Sequence, residues 1–176
     1  MRLSLKEPLV LTLFPNVKGF TYALFESMYE PADWGSKMIR SGGGDCFEKM
    51  VNLIELFQPS AVVVRSCNDC RAQCSVRIMH LICQVKAYVR EQNISLHAYS
   101  RTDIRRCFSS CYGAQNKDEI AREIAKLLPE FKKLVPPMRR YWDREYHRMG
   151  LFDALALSVT YYWDQRLQPQ CATGCD

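Results

Sequence analysis

The fold is decided by residues 10–25, which read VLTLFPNVKGFTYALF. β-branched and aromatic side chains suit a pleated sheet, and they stand on both sides of Pro15 and Asn16, residue types that suit a turn. The pattern predicts a β-hairpin with its turn at Pro15 and Asn16. Further along, residues 61–64 form an apolar, largely β-branched run, which is typical of a strand buried on both faces.

Strands and helices alternate after the hairpin. Residues 30–40 fit either a third strand or a loop, and residues 94–99 alternate apolar and polar side chains as a half-exposed strand does. Apolar residues at helical spacing predict helices over residues 46–57, 70–92, 102–108, from 117 onward and about 148–163. A hairpin followed by strands that are joined through helices gives a mixed sheet with helices on both faces.

Two of these helices carry more specific expectations. In residues 70–92, Val76 and Met79 fall along one side together with later apolar residues. Asn116 is the expected N-cap of the helix that follows it, because Glu119 stands three residues on, where its side chain can complete the cap.

The composition indicates one folded domain. The chain has 176 residues, of which 48% are hydrophobic and 24% are charged, and its formal net charge is +5. These values exclude a disordered chain. No apolar run approaches the roughly 20 residues that span a bilayer, so we expect no membrane segment. We expect a single domain over residues 1–167 and a loose tail over residues 168–176.

Nine cysteines are the unusual feature of the composition. The charged N-terminus shows no secretory signal, so we expect a cytoplasmic protein whose cysteines are thiols, metal ligands or redox groups rather than a disulfide framework. Cys67, Cys70 and Cys74 form a cluster that could bind Zn²⁺ or an iron–sulfur cluster. The alternatives are reduced cysteines that pack as small hydrophobes, or a regulatory disulfide such as one between Cys107 and Cys111.

Four stretches follow one another in a characteristic order. They are residues 13–19 (LFPNVKG), 61–65 (AVVVR), 102–120 and 152–157 (FDALAL). In this order and spacing they resemble the RuvC-type Holliday-junction resolvases of the ribonuclease H-like superfamily, and the likeness covers about residues 9–162. The resemblance implies an α/β fold, with a ribonuclease H-like mixed sheet of about five strands flanked by helices on both faces, and it implies a homodimer.

The resemblance also implies where a catalytic site would lie. Such enzymes use three or four carboxylates to hold two Mg²⁺ ions, which activate water and stabilise the leaving oxygen of a phosphodiester. The Asp of the first strand falls on Phe14, and the Glu that ends the middle strand falls on Arg65. In the last helix the final Asp falls on Asp153, and its partner one turn earlier falls on Gly150. Phenylalanine cannot bind Mg²⁺, and an arginine puts positive charge where the ions would lie.

Asp153 and Glu145 are the candidate catalytic residues, as a remnant carboxylate and a substitute. Glu145 lies eight residues before Asp153, so both could share one side of a continuous helix. The alternatives are that Glu145 is a solvated charge paired with Arg144 or Arg148, and that Asp153 is bonded to Arg65.

Basic residues gather in two late segments, and aromatic residues stand among the second. Such mixtures suit phosphate contact combined with base stacking. The candidate nucleic-acid-binding residues are Arg105, Arg106, Arg139, Arg140 and Trp142. The resemblance implies that Lys117 also faces nucleic acid. The alternative is a set of solvated charges and core aromatics.

The leading hypothesis is a RuvC-like protein that binds nucleic acid, with branched or duplex DNA as its partner, and that has lost the two-metal chemistry. The first alternative is an active, Mg²⁺-dependent, structure-specific endonuclease with a rearranged carboxylate set. The second is a protein-interaction module, or a cysteine-based metal or redox module, built on the same scaffold.

Overall fold

The computed structural model describes residues 8–39, 44–67, 74–137 and 148–167. The strands in these ranges are β1 (Val10–Asn16), β2 (Gly19–Ser27), β3 (Glu30–Met38), β4 (Ala61–Arg65) and β5 (Ser95–Tyr99). The helices are α1 (Gly44–Phe57), α2 (Val76–Glu91), α3 (Arg101–Tyr112), α4 (Lys117–Leu127) and α5 (Met149–Leu167). A short 3-10 helix (Pro129–Leu134) follows α4.

The strands form one mixed sheet in the order β3-β2-β1-β4-β5. β2 pairs antiparallel with both β1 and β3, while β4 runs parallel to both β1 and β5. This arrangement confirms the predicted mixed sheet. Of the two possibilities for residues 30–40, the third strand is the one observed.

The hairpin turn lies later than predicted. Val17 and Lys18 connect β1 to β2, and the side chain of Asn16 accepts a hydrogen bond from the Lys18 amide at 2.9 Å. Pro15 is accommodated inside β1 because the pairing of β1 with β4 ends at Leu13. The N–H that proline lacks is therefore not needed for the ladder with β4.

Helices cover both faces of the sheet, as predicted. α1 and α2 pack on the face that holds Leu11 and Leu13 of β1, whereas α3, α4 and α5 pack on the face that holds Phe25 of β2. Thr12 points to this second face, as the two-residue alternation of a strand requires. Its hydroxyl lies 2.7 Å from that of Ser158 in α5, and both residues are fully buried.

The α5 helix is the centre of the second layer. It contacts all five strands as well as α3 and α4. Buried residues lie nearly all round it, which is typical of a helix inside a domain. Within the described ranges, none of the helices, α5 included, has the length and apolar character needed to cross a membrane.

The α2 helix begins later than predicted and buries a different side. It begins at Val76, where the side chain of Ser75 accepts a hydrogen bond from the Ile78 amide, so Cys74 precedes the helix. Val76 and Met79 face solvent. The buried side is a second apolar stripe at helical spacing, formed by Ile78, Leu81, Ile82, Val85 and Val89.

The α3 helix is longer than predicted at both ends. Ser100 and Asp103 form a capping box, in which the Ser100 hydroxyl accepts from the Asp103 amide at 3.1 Å and the Asp103 carboxylate accepts from the Ser100 amide at 2.8 Å. The helix ends at Gly113, whose φ of 69° is a left-handed conformation that suits glycine. The cap at Ser100 places the start of α3 directly after β5.

Candidate functional site

The carboxyl ends of β1, β4 and β5 lie at one edge of the sheet, because these three strands run parallel. In open α/β sheets, ligands bind in the crevice outside such an edge. Arg65 is the last residue of β4 and pairs with Tyr99, the last residue of β5, while Phe14 and Asn16 lie near the end of β1. We call this region the carboxyl edge and take it as the candidate site.

The guanidinium of Arg65 is held by two contacts with β1. Its Cζ lies 4.9 Å from the centroid of the Phe14 ring, a cation–π distance, and its Nη1 lies 3.4 Å from the carbonyl oxygen of Pro15. Burial lowers the pKa of Arg65, and the positive charge of Arg101 lowers it further. The Asp153 carboxylate raises that pKa and so offsets part of the effect. Arginine stays protonated in proteins, so a fixed positive charge lies at the end of β4.

Asp153 of α5 forms an ion pair with Lys117, the first residue of α4. Its Oδ2 lies 3.0 Å from the Lys117 Nζ. The predicted cap of α4 is confirmed, since Asn116 Oδ1 accepts from the Glu119 amide at 3.0 Å. The Glu119 carboxylate in turn accepts from the Gln115 amide at 2.7 Å and from the Asn116 side chain at 2.6 Å, and these hydrogen bonds lower its pKa. The cap thus fixes where Lys117 stands.

Gly150 lies one turn before Asp153, where α5 approaches the β1–β2 hairpin. A Cβ at this position would stand 3.1 Å from Thr21 Oγ1 and 3.7 Å from Asn16 Nδ2. These two polar residues were missing from the predicted site, although a polar residue at a strand end such as Asn16 was an available signal. The structure therefore brings to one edge all four positions that the resemblance singled out, Phe14, Arg65, Gly150 and Asp153.

The charges at the carboxyl edge are unequal in number. Among the described residues, Arg65, Lys117 and Arg101 bring three cations, Asp153 brings a carboxylate opposite Lys117, and Asp103 brings a second carboxylate in the cap of α3. The predicted alternative for Asp153 was a bond to Arg65; the structure gives it an ion pair with Lys117 and an electrostatic effect on Arg65. Over the described part of the chain, no group of three or more His, Cys, Asp or Glu side chains is placed to hold a metal ion.

Two more of the predicted contact residues lie on α3. Arg105 and Arg106 are exposed on α3, and Arg106 forms an ion pair with Asp103 of the same helix. They lie beyond Arg101, further from the end of β5. Three further contact candidates fall outside the described residues and stay predictions: Arg139, Arg140 and Trp142. The same holds for Glu145, the predicted substitute carboxylate.

A disulfide joins Cys67, which follows β4, to Cys74, and their Cα atoms are 6.0 Å apart. In this state neither sulfur is the thiolate that binds Zn²⁺ or iron. A metal site that includes Cys70, outside the described residues, stays a prediction for the reduced chain. Cys107 and Cys111, suggested as a regulatory disulfide, are both thiols of α3 in this structure, and burial raises the pKa of Cys107 to about 12.

Comparison with protein-family models and with curated proteins finds no match to the sequence. Solved structures do match. RuvC from Thermus thermophilus in complex with a Holliday junction substrate gives a TM-score of 0.65 at 14% identity, over 91% of this chain and 96% of that chain. The yeast mitochondrial Holliday junction resolvase gives a TM-score of 0.61 at 13% identity, over 92% of this chain and 81% of that chain. The fowlpox virus Holliday junction resolvase gives a TM-score of 0.58 at 9% identity, over 89% of this chain and 99% of that chain.

These three neighbours agree in kind, since each is a Holliday junction resolvase that aligns over at least 89% of this chain. Identities this low establish a shared fold and leave the roles of individual residues to be argued from the chain itself. The chain has the ribonuclease H-like fold of the RuvC-type Holliday junction resolvases, with a five-stranded mixed sheet between two layers of helices.

Proposed function

We propose that this chain is a RuvC-like nucleic-acid-binding protein with a degraded two-metal nuclease site, and that its ligand is branched or duplex DNA. The observation that carries the proposal is the contact between Arg65 and Phe14 at the carboxyl edge. The resemblance expects a carboxylate at each of these positions. The chain instead has a guanidinium stacked on an aromatic ring.

Electrostatics explains why this contact opposes metal-ion catalysis. Two-metal sites hold their ions about 3.5–4 Å apart with several carboxylates. Two unit charges of like sign about 4 Å apart repel each other by roughly 4 kcal/mol near a protein surface, and a divalent ion roughly doubles that. Arg65 is fixed in this region by Phe14 and Pro15, and the nearby Asp153 carboxylate already has Lys117 as a partner.

The fold supports a nucleic-acid ligand. A neighbour with the same fold has been solved in complex with a Holliday junction substrate. The three cations at the carboxyl edge and the formal net charge of +5 suit a polyanion. The resemblance also suggests a homodimer, which would elute in size-exclusion chromatography with the mass of two chains.

Fluorescence anisotropy with a four-way junction, a duplex and a single strand of matched sequence tests the proposal. We expect binding to the junction or the duplex at low salt, with an affinity that falls steeply as salt rises. EDTA should leave the affinity unchanged, and neither Mg²⁺ nor Mn²⁺ should support strand cleavage. Absence of binding to all three probes at low salt would reject the nucleic-acid ligand. Metal-dependent cleavage that disappears in Asp153→Asn would establish the endonuclease alternative instead.

A further inference from the structure

We propose that Arg65, Lys117 and Arg101 form a phosphate-binding site at the carboxyl edge that works without a divalent metal ion and holds a phosphodiester group of the bound strand. The identity of the ligand rests on the proposed function. The site itself rests on geometry and charge, because three cations lie at an edge of the sheet where ligands bind in this class of fold, while the Asp153 carboxylate is paired with Lys117 and the Asp103 carboxylate is engaged by Ser100 and Arg106.

Arg65 supplies the fixed part of the site. Its guanidinium rests on the Phe14 ring at 4.9 Å, and its Nη1 lies 3.4 Å from the Pro15 carbonyl oxygen, so the plane of the group is set before a ligand arrives. A guanidinium carries five N–H donors, and the contact with Pro15 takes one of them. A pre-oriented donor loses less conformational freedom on binding than a mobile side chain does.

Lys117 supplies the second cation, and its position is also fixed. The Asn116 cap sets the first turn of α4, and the ion pair with Asp153 sets the direction of the ammonium. The exposed fractions of the Lys117 and Asp153 side chains are 31% and 18%, so a ligand can reach the pair from solvent. An ammonium has three donors, and Asp153 engages Lys117 through one carboxylate oxygen.

Arg101 supplies the third cation from the neighbouring strand. It begins α3 directly after the Ser100 cap, two residues past the end of β5. Tyr99 of β5 pairs with Arg65, and its carbonyl oxygen accepts from the Ser66 amide at 2.8 Å, so the two chain segments stay adjacent beyond the strands. The side chain of Arg101 is exposed, which leaves it accessible to a ligand.

A phosphodiester suits these groups. A planar guanidinium presents parallel N–H donors that match two oxygens of one phosphate, and such charge-assisted pairs are stronger than neutral hydrogen bonds. Neutralisation of a backbone phosphate by these cations would also release counterions, which makes the binding sensitive to salt. In this arrangement the protein's own cations supply the positive charge that metal ions supply in a two-metal site.

The test compares Arg65→Gln with wild type in EDTA, using the duplex or junction probe and, separately, inorganic phosphate measured by calorimetry. Arg65→Gln should weaken nucleic-acid binding about 10- to 100-fold, the loss of a charged hydrogen bond, and should reduce the salt slope by about one. Arg65→Lys keeps the charge without the planar fork, so it should give a smaller loss. Arg90→Gln, an exposed arginine on α2 across the sheet, is the matched control and should bind like wild type.

Thermal melting of each variant checks that folding is retained. Equal affinities and salt slopes for Arg65→Gln and wild type would overturn the site while the proposed function stands. A wild-type chain that binds inorganic phosphate through Arg65 but no nucleic acid would overturn the proposed function and the phosphodiester assignment, and would support a site for free phosphate. Failure to bind either probe would overturn both proposals.

Discussion

The Lys117 ammonium lies 3.0 Å from the Asp153 carboxylate, and this pair joins the first residue of α4 to α5 beside the carboxyl edge. The carboxylate that the resemblance leaves in place therefore has a cation of the protein itself as a partner. If the site is built for an anion, Asp153 orients Lys117 and limits the positive charge of the edge. If the site is built for Mg²⁺, Asp153 is a ligand. The two roles predict opposite effects of its removal.

Asp153→Asn should strengthen binding of duplex or junction DNA by about 3- to 10-fold in EDTA, because it removes a negative charge close to Arg65 and Lys117. Anisotropy at several salt concentrations measures the change. Glu91→Gln at the exposed end of α2 makes the same change of net charge far from this edge and should have no such effect. Weaker binding in Asp153→Asn would contradict the expectation.

Asn116→Ala should lower the free energy of unfolding by about 1 kcal/mol, because it removes the side-chain oxygen that caps α4. For a chain of this size that corresponds to a decrease in Tm of about 2–4 °C. Asn116→Ser retains a capping oxygen and adds no charge beside the Glu119 carboxylate, which lies 2.6 Å from the Asn116 side chain, so it should remain close to wild type. Equal losses in the two variants would show that the cap oxygen is not responsible.

The buried pair of Thr12 and Ser158 should behave as a coupled unit. The Ser158 hydroxyl lies 2.7 Å from that of Thr12 and also donates to the Ala154 carbonyl oxygen at 3.3 Å. Ser158→Ala removes the contact that the buried Thr12 hydroxyl makes and should cost about 1–3 kcal/mol, whereas Thr12→Val leaves Ser158 its bond to Ala154 and should cost less. The double variant should lose less than the sum, because no polar group is then left facing an apolar one. Urea denaturation of the four proteins measures the coupling, and strict additivity would argue against it.

His97 should make stability depend on pH. Burial lowers its pKa below the ordinary value of about 6.5, and the Asp164 carboxylate offsets part of that decrease. The His97 ring packs edge-on against the Tyr161 ring, with 4.8 Å between the ring centroids. The unfolded chain therefore takes up the proton at a higher pH than the folded chain. The free energy of unfolding should fall as pH drops from about 6.5 to the lowered folded-state pKa, and should level off below it.

His97→Gln should flatten that part of the profile, which urea denaturation between about pH 5 and 7.5 can follow. An unchanged slope in the variant would assign the pH dependence to other groups.

Reduction of the disulfide between Cys67 and Cys74 should destabilise the chain. The bond closes a loop with a sequence separation of 7, for which chain entropy gives about 2–3 kcal/mol. Dithiothreitol should therefore lower the Tm of wild type by several degrees, and the double variant Cys67→Ala, Cys74→Ala should not respond. Cys83→Ala, on the exposed side of α2, should keep the response. A wild-type Tm that is the same with and without dithiothreitol would contradict a stabilising role of this disulfide.

Local patterns predicted much of the fold. The Asn116 cap with Glu119 three residues on, and the buried run of residues 61–64, depend on neighbours within a few positions, and the structure confirms both. The buried side of α2 was predicted wrongly, because the helix carries two stripes of apolar residues that both have helical spacing. The choice between them depends on the sheet that the helix packs against, which no local pattern contains.

The contacts of the site join residues far apart in sequence, and for that reason local patterns could not predict them. Arg65 meets Phe14 across two strands, and Lys117 meets Asp153 across two helices. The candidate positions came from the order of four stretches and their resemblance to a family. Spacing alone also left the cysteines open, since it gave no reason to prefer the pairing of Cys67 with Cys74.

Gly150 bears on whether the loss of metal-ion chemistry could be reversed. A Cβ there would stand 3.1 Å from Thr21 Oγ1, closer than ordinary van der Waals contact, and Thr21 is buried with its hydroxyl 3.3 Å from that of Ser36. A carboxylate side chain at position 150 would therefore need the Thr21 hydroxyl to shift by a few tenths of an ångström. Substitutions at Phe14 and Arg65 alone would leave position 150 without a carboxylate. Under the proposed loss of the carboxylates, that loss is not undone in a single step.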